Sequence, residues 1–239
     1  MRPPITRAFL LAAGLGTRLR PLTETLPKCL LPVGGTPLLE IWLGACERAG
    51  IRHVLINSHW RAEMVRQFVA RRRGLDVELA YEPELLGSAG TLAANRWFFR
   101  DEESFLVLYA DNLTTFPLAR LADFHAGHDR LATVALFHSE NPAACGIAEV
   151  DEAGIITAFE EKPARPRSNL ANAGMYVFRR GIEEYLPDFV PADIGRHLLP
   201  RLAGRAAGYQ IRELLIDIGT PASYLRGQAE YARARTGTA

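Results

Sequence analysis

Two aspartates stand at the ends of apolar runs. Asp111 follows Phe105-Leu106-Val107-Leu108-Tyr109-Ala110, and Asp217 follows Leu215-Ile216 ahead of Ile218-Gly219-Thr220-Pro221. A carboxylate at the carboxyl end of a buried strand faces the crevice where α/β sheets bind ligands. Taken singly, each reads equally well as an Asx turn or a helix cap. Two of them suggest a shared metal. Lysine is the second signal, because Lys28 and Lys162 are the only lysines among 28 basic residues. Arginine evidently serves wherever a generic positive charge suffices, so the two lysines point to sites needing a compact ammonium rather than a planar fork. Chance survival on a solvated surface is the alternative. Both lysines lie in patterned segments, Pro27-Lys28-Cys29-Leu30-Leu31-Pro32 and Phe159-Glu160-Glu161-Lys162-Pro163.

The stretch Leu11-Ala12-Ala13-Gly14-Leu15-Gly16-Thr17-Arg18-Leu19-Arg20-Pro21-Leu22-Thr23 follows a further apolar run. Gly14 and Gly16 let the backbone turn sharply and bring N–H groups close to phosphate oxygens. Arg18 adds a bidentate fork for a polyphosphate, and the prolines around Lys28 stiffen the loop that carries its ammonium. Neither the P-loop spacing nor the third small residue of a dinucleotide fingerprint is present. A lone Gly-x-Gly is weak evidence and reads as well as a tight strand-to-helix turn. The full run of Gly-x-Gly-Thr-Arg, Pro-Leu-Thr and Pro-Lys-x-Leu-Leu-Pro is far more specific.

That run resembles the signature of the sugar nucleotidylyltransferase family, which includes mannose-1-phosphate guanylyltransferases and glucose-1-phosphate thymidylyltransferases. The resemblance covers roughly residues 8–231. It implies that Ala12, Ala13, Gly14, Gly16, Thr17 and Arg18 bind a nucleoside triphosphate, and that Asp111 and Asp217 hold Mg²⁺ beside its α-phosphate. Mg²⁺ suits one or two carboxylates plus phosphate oxygens. The resemblance further implies that Glu161 reaches sugar hydroxyls, that Lys162 grips the phosphate of a sugar 1-phosphate, and that Asn112, Gly146 and Asn172 add sugar-phosphate contacts. An exposed Glu161–Lys162 pair of little energetic worth would be the default reading of that segment, were lysine not so scarce. Arg18, Lys28 and Lys162 are the expected catalytic cations.

Glu82, Glu84 and Gly87 lie in Tyr81-Glu82-Pro83-Glu84-Leu85-Leu86-Gly87-Ser88-Ala89-Gly90, which resembles the guanylyltransferase version of the base-reading segment. Guanine presents adjacent N–H donors that a carboxylate can accept, whereas uracil and thymine present one donor flanked by carbonyls. GTP is therefore the favoured nucleotide, with mannose 1-phosphate or manno-heptose 1-phosphate as the sugar. The competing reading is that Glu82 and Glu84 keep an exposed turn soluble. A uridylyl- or thymidylyltransferase is the alternative function. A metal-dependent glycosyltransferase could also place an aspartate after such a strand, but would not need Gly-Thr-Arg and Pro-Lys-x-Leu-Leu-Pro. A silent regulatory relative is disfavoured by the intact Arg18, Lys28, Asp111, Lys162 and Asp217.

These residues must be positioned by alternating strands and helices. Strands are predicted at 8–12, 53–57, 77–81, 105–109, 132–137, 147–150, 155–159, 174–178, 208–212 and 215–218. Helices are predicted at 36–49 (Thr36 as cap, Pro37 first), 61–72, 89–99, 118–125, 194–202 and 221–231. The pattern reads as βαβ units around a largely parallel sheet, an α/β, three-layer Rossmann-like nucleotidyltransferase fold with a mixed central sheet and a β-rich sugar-binding half. A single domain over residues 6–234 is expected, with a nucleotide-binding half at 6–130 and a sugar-phosphate half at 131–234, and no hexapeptide-repeat domain. A homodimer is compatible with it.

With 239 residues, 48% of them apolar, and a formal net charge of +1, composition gives no sign of a nucleic-acid partner or a membrane surface. The opening with Pro3 and Pro4 reads as a lead into a strand rather than a signal peptide. Cys29, Cys46 and Cys145 are too far apart for a metal cluster, and a cytoplasmic enzyme is expected. His125 and His128 are read as a solvated helix face, Arg71-Arg72-Arg73 as a helix end complementing its dipole, and Trp42, Trp60 and Trp97 as packing residues on helices.

Overall fold

Most of the apolar runs form strands, and the periodic stretches form helices, in the computed structural model, which describes residues 3–236. In chain order the strands are β1 (Arg7–Leu11), β2 (Pro32–Val33), β3 (Thr36–Pro37), β4 (His53–Ser58), β5 (Asp76–Tyr81), β6 (Ser104–Tyr109) and β7 (Asn112–Thr114). They continue with β8 (Ala132–His138), β9 (Gly146–Val150), β10 (Ile156–Glu161), β11 (Leu170–Arg179), β12 (Ala206–Gln210) and β13 (Leu215–Asp217). The α-helices are α1 (Leu22–Thr25), α2 (Leu38–Arg48), α3 (Ala62–Val69), α4 (Ser88–Ala94), α5 (Leu118–Ala126) and α6 (Pro221–Thr236). The expected α/β class and mixed sheet are found. Among the described residues, no helix is long and apolar enough to cross a membrane.

The chain divides into two compact units. One comprises Ala8–Glu84, Leu108–Leu118 and the chain from Glu213 onward. In it β1 lies between β4 and the Leu108–Tyr109 end of β6, and β4 runs parallel to β5 in register from His53↔Asp76 to Ser58↔Tyr81. Ala8, Phe9 and Leu10 of β1 are fully buried, as are Val54 and Ile56 of β4, which is why these strands read as continuous apolar runs rather than alternating ones. Leu38, Leu39, Trp42, Leu43 and Cys46 form the buried stripe of α2, at the spacing that puts residues on one helical face.

The other unit comprises the residues through Arg7, Leu85–Val107 and Ala119–Arg212. Its strands are largely antiparallel. β10 pairs with β9, and β11 pairs with both β9 and β8, while β12 joins β8 in parallel.

Several expectations need correction. Residues 36–37 do not begin a helix: Thr36 and Pro37 ladder with Val33 and Pro32, so the helix starts at Leu38. The helix predicted at 89–99 ends at Ala94: Asn95 N is shared between the Thr91 and Leu92 carbonyls (both 3.2 Å) while its side chain also donates to Thr91 O (2.9 Å), and the chain goes on as a 3₁₀ turn (Arg96–Phe98). Residues 194–202 form a π turn (Ile194–Leu198) and a 3₁₀ turn (Leu199–Leu202). Pro200 lacks an N–H and would clash with the carbonyl four residues back, so an α-helix cannot run through it.

Only Trp42 is a core tryptophan; Trp60 and Trp97 are 39% and 48% exposed and lie outside the α-helices. His125 is buried rather than solvated, its Nδ1 2.8 Å from Thr133 Oγ1, with His128 Nε2 2.9 Å from the same hydroxyl. α3 stops at Val69, and Arg72 beyond it pairs with Glu40 and Glu47 at 3.3 and 2.9 Å, so acidic partners on α2 rather than a helix dipole account for it.

Candidate active site

β7 and β13 form a two-stranded antiparallel ribbon in which Asp217 lies opposite Asn112. Ile218 N donates to Asp111 O (3.1 Å), so two aspartates separated by more than a hundred residues become neighbours. Between them sits Lys28, in a 3₁₀ turn (Lys28–Leu30) with its side chain only 8% exposed. Its Nζ lies 2.8 Å from Asp111 Oδ2 and 3.4 Å from Asp217 Oδ1. An ammonium this buried is tolerated only with such partners. Arg18 Nη2 approaches Asp217 Oδ2 at 3.8 Å from the more exposed side. Arg18, Lys28, Asp111, Asn112 and Asp217 thus meet at one place. Trp42 Nε1 donates to Asn112 O (2.7 Å) and ties that place to the helix core.

Of the glycine-loop residues, Ala12 donates its N–H to Asn57 Oδ1 (2.7 Å), and Asn57 Nδ2 donates to Glu82 Oε1 (2.9 Å). Glu82 is therefore no exposed turn residue: it is 2% exposed and linked through Asn57 to the loop's entry. Glu84, two residues on, is exposed. Ala13 is buried, and a side chain at Gly14 would meet open space. Gly16 adopts φ +64°, a left-handed conformation that favours glycine. Thr17 and Arg18 follow in a 3₁₀ turn (Thr17–Leu19).

The remaining candidates lie in the other unit. Glu161 ends β10, and its Oε2 occupies space that side chains at Gly146 or Gly195 would invade: a Cβ would come within 2.5 or 2.6 Å. Lys162 follows with φ +53°, and its N–H donates to Cys145 O (3.0 Å). Asn172 is engaged locally, Nδ2 donating to Tyr176 Oη (2.7 Å) and Oδ1 accepting from Gly174 N (3.0 Å), where the β11–β8 register shifts. Gly87 precedes α4 with φ +74°, and a Cβ there would strike the Ala192 backbone. Gly146, Glu161 and Lys162 form one group, and the antiparallel pairing of Ala171 with Ile147 brings Asn172 beside the Gly146 end of β9; Gly87 lies against the Ala192 backbone.

Burial and the neighbouring Asp193 carboxylate raise the Glu161 pKa above its ordinary 4.5, against the opposing pull of Lys162 and Arg196. A carboxyl with a raised folded pKa favours the fold while protonated. That contribution is complete below the ordinary value and is lost as pH rises through the raised one. Glu161→Gln should therefore show a higher thermal midpoint than the wild type at pH 7, and the difference should vanish below pH 4.5. Equal midpoints at pH 7 would mean that the charge is held there without penalty.

Sequence reasoning missed Asn57, Asp193 and Gly195. Asp193 caps the π turn by accepting from Arg196 N (3.0 Å) and from Ser88 Oγ (2.9 Å). The run Asp193-Ile194-Gly195, with a polar cap candidate two residues before a glycine, was the signal available for the last two.

The chain belongs to the nucleotidyl transferase family, whose model matches residues 7–234. The mannose-1-phosphate guanylyltransferase catalytic subunit beta of Drosophila melanogaster is 34% identical over 95% of this chain. The mannose-1-phosphate guanylyltransferase of Mycobacterium tuberculosis is 32% identical, also over 95%. The chain spans 63% and 64% of those two relatives, less than two thirds of their length. A solved structure of UDP-glucose pyrophosphorylase complexed with UDP-glucose shares the fold, with TM-score 0.84 over 96% of this chain and 99% of that one at 22% identity.

Proposed function

We propose that this chain transfers a nucleotidyl group from a nucleoside triphosphate to a sugar 1-phosphate, releasing pyrophosphate, as one nucleotidyltransferase domain. The observation that carries the reading is the meeting of Arg18, Lys28, Asp111 and Asp217 beside a glycine loop. A sugar phosphate already carries a negatively charged oxygen, so its attack on the α-phosphorus needs no protein nucleophile. The protein must hold two anions together and neutralise them. Arg18 and Lys28 would bind the triphosphate, Lys162 the sugar phosphate, and Glu161 a sugar hydroxyl. The turn at Gly14 and Gly16 would bring backbone N–H groups close to phosphate oxygens.

Asp111 and Asp217 would hold Mg²⁺. The pair already hold a cation between them, the Lys28 ammonium. Two carboxylates completed by phosphate oxygens and water suit this ion, and among the described residues no group of three His, Cys, Asp or Glu competes. When bound, the ion would supply charge neutralisation beside the α-phosphate.

GTP as the nucleotide and mannose 1-phosphate as the sugar are supported by the names of the relatives at 34% and 32% identity; a manno-heptose 1-phosphate is the alternative sugar. Exposed Glu84 and buried Glu82 occupy the segment proposed to face the base. The test is a panel of the common triphosphates against sugar 1-phosphates, read as pyrophosphate release, with GTP expected to give the highest kcat/KM. A marked preference for UTP or dTTP would reject the base and leave the reaction class standing. Absence of pyrophosphate with every pair would reject the class.

A further inference from the structure

We infer that Trp60 and Arg61 are positioning residues that set the glycine loop for the triphosphate, acting through Thr23 and Gly16. The inference rests on the nucleotidyl-transfer reading above. The Gly16 carbonyl accepts from Leu19 N (2.9 Å) and from Thr23 Oγ1 (2.7 Å). Thr23 is 2% exposed, and a Cβ at Gly16 would come within 2.8 Å of its methyl group. The turn that precedes Arg18 is thus locked onto Thr23.

Thr23 belongs to α1, a four-residue turn without a side-chain cap. Its own carbonyl accepts from Trp60 Nε1 (3.0 Å), and the next carbonyl, Glu24 O, accepts both Nε (3.0 Å) and Nη2 (2.7 Å) of Arg61. The Arg61 guanidinium also lies 5.2 Å from the Trp60 ring centroid, within range of a cation–π attraction. Beside the segment a cleft of about 310 Å³ lies among Leu15, Arg20, Thr23, Glu24 and Trp60. The hydrogen bonds from Trp60 and Arg61 therefore add to the packing of buried Thr23 in holding it.

The backbone of Arg61 carries the same message. It adopts φ +52°, a region that side-chain-bearing residues enter at a free-energy penalty. That conformation belongs to the residue whose fork grips Glu24 O. A strained residue maintained next to a phosphate-facing loop points to a positioning role, since small misplacements of such a loop weaken its grip on the ligand.

The test measures KM for the triphosphate and for the sugar 1-phosphate separately, with thermal midpoints, in Trp60→Phe, Arg61→Lys and Arg61→Gly. Trp60→Phe keeps the ring and loses the N–H. It should raise the triphosphate KM roughly fivefold, the effect of one lost hydrogen bond, and leave the sugar-phosphate KM unchanged. Arg61→Lys should fall between wild type and Arg61→Gly. Arg61→Gly relieves the left-handed backbone, so its midpoint should hold or rise while the triphosphate KM rises. A purely structural role cannot produce that opposition. If both KM values move together, or if neither moves while the midpoints fall, Trp60 and Arg61 only support the fold and the inference is overturned. A wild-type chain inactive with every substrate pair would instead sink the nucleotidyl-transfer reading, and this inference with it.

Discussion

Asp217→Asn is expected to lower turnover by about 10²-fold or more, the usual consequence of losing one preorganised charge contact at a centre of developing charge. The side chain is 56% exposed, so the substitution empties no core and changes no volume. Lys28 keeps its shorter contact to Asp111 at 2.8 Å, so its buried ammonium is not stranded. The ribbon pairing of Asp217 with Asn112 uses backbone atoms that asparagine retains. Melts of the variant and wild type should therefore coincide within a few degrees while pyrophosphate release falls. The Mg²⁺ concentration giving half-maximal rate should rise as well, because one of two proposed ligands has lost its charge. Near-normal turnover in Mg²⁺ would remove Asp217 from the site.

The two aspartates were legible because each ends an apolar run, and strand ends can be read locally. Their meeting was expected from a shared metal, but the pairing that brings it about, β7 with β13 across the chain, was not legible. The same holds for Lys28: its scarcity marked it, but nothing local announces that its partners are both aspartates. At Glu82 the structure removes the competing reading of a solvated turn, because Asn57 draws the side chain inward, a contact that no local feature of this segment of turn formers and acids announces. The sign of φ at Arg61 and Lys162 escapes sequence reasoning, because neither residue type prefers the left-handed region. His125 escaped because α5 turns that residue toward Thr133 on β8, a packing choice made by the sheet rather than by helical periodicity. Local chemistry was readable; long-range pairing and strained backbone were not.

Lys162 allows charge and backbone to be separated. Its φ of +53° is strained for any residue with a side chain, and it follows directly on Glu161 at the end of β10. Its N–H bond to Cys145 O ties that end to the residue before Gly146, so the backbone conformation and the presentation of the ammonium are set together. Lys162→Gly removes the ammonium but suits the left-handed backbone, and keeps the N–H that bonds Cys145. Its midpoint should equal or exceed that of the wild type, since relief of a strained φ is worth about 1 kcal/mol after glycine's greater unfolded entropy is counted. Its kcat/KM for the sugar 1-phosphate should nevertheless fall by about 10²–10³-fold, as expected when a cation facing a reacting phosphate is lost. Lys162→Arg retains both charge and strain but replaces a point charge with a planar fork. It should lose at least about tenfold against the sugar phosphate, with the triphosphate KM unchanged, because a 1 Å misplacement of a phosphate-holding group is costly in rate. The measurement is a KM and kcat series for both substrates beside thermal melts. An arginine variant as active as wild type would mean that the scarcity of lysine carries no information at this position, and a glycine variant that keeps its activity would take Lys162 out of the proposed chemistry altogether.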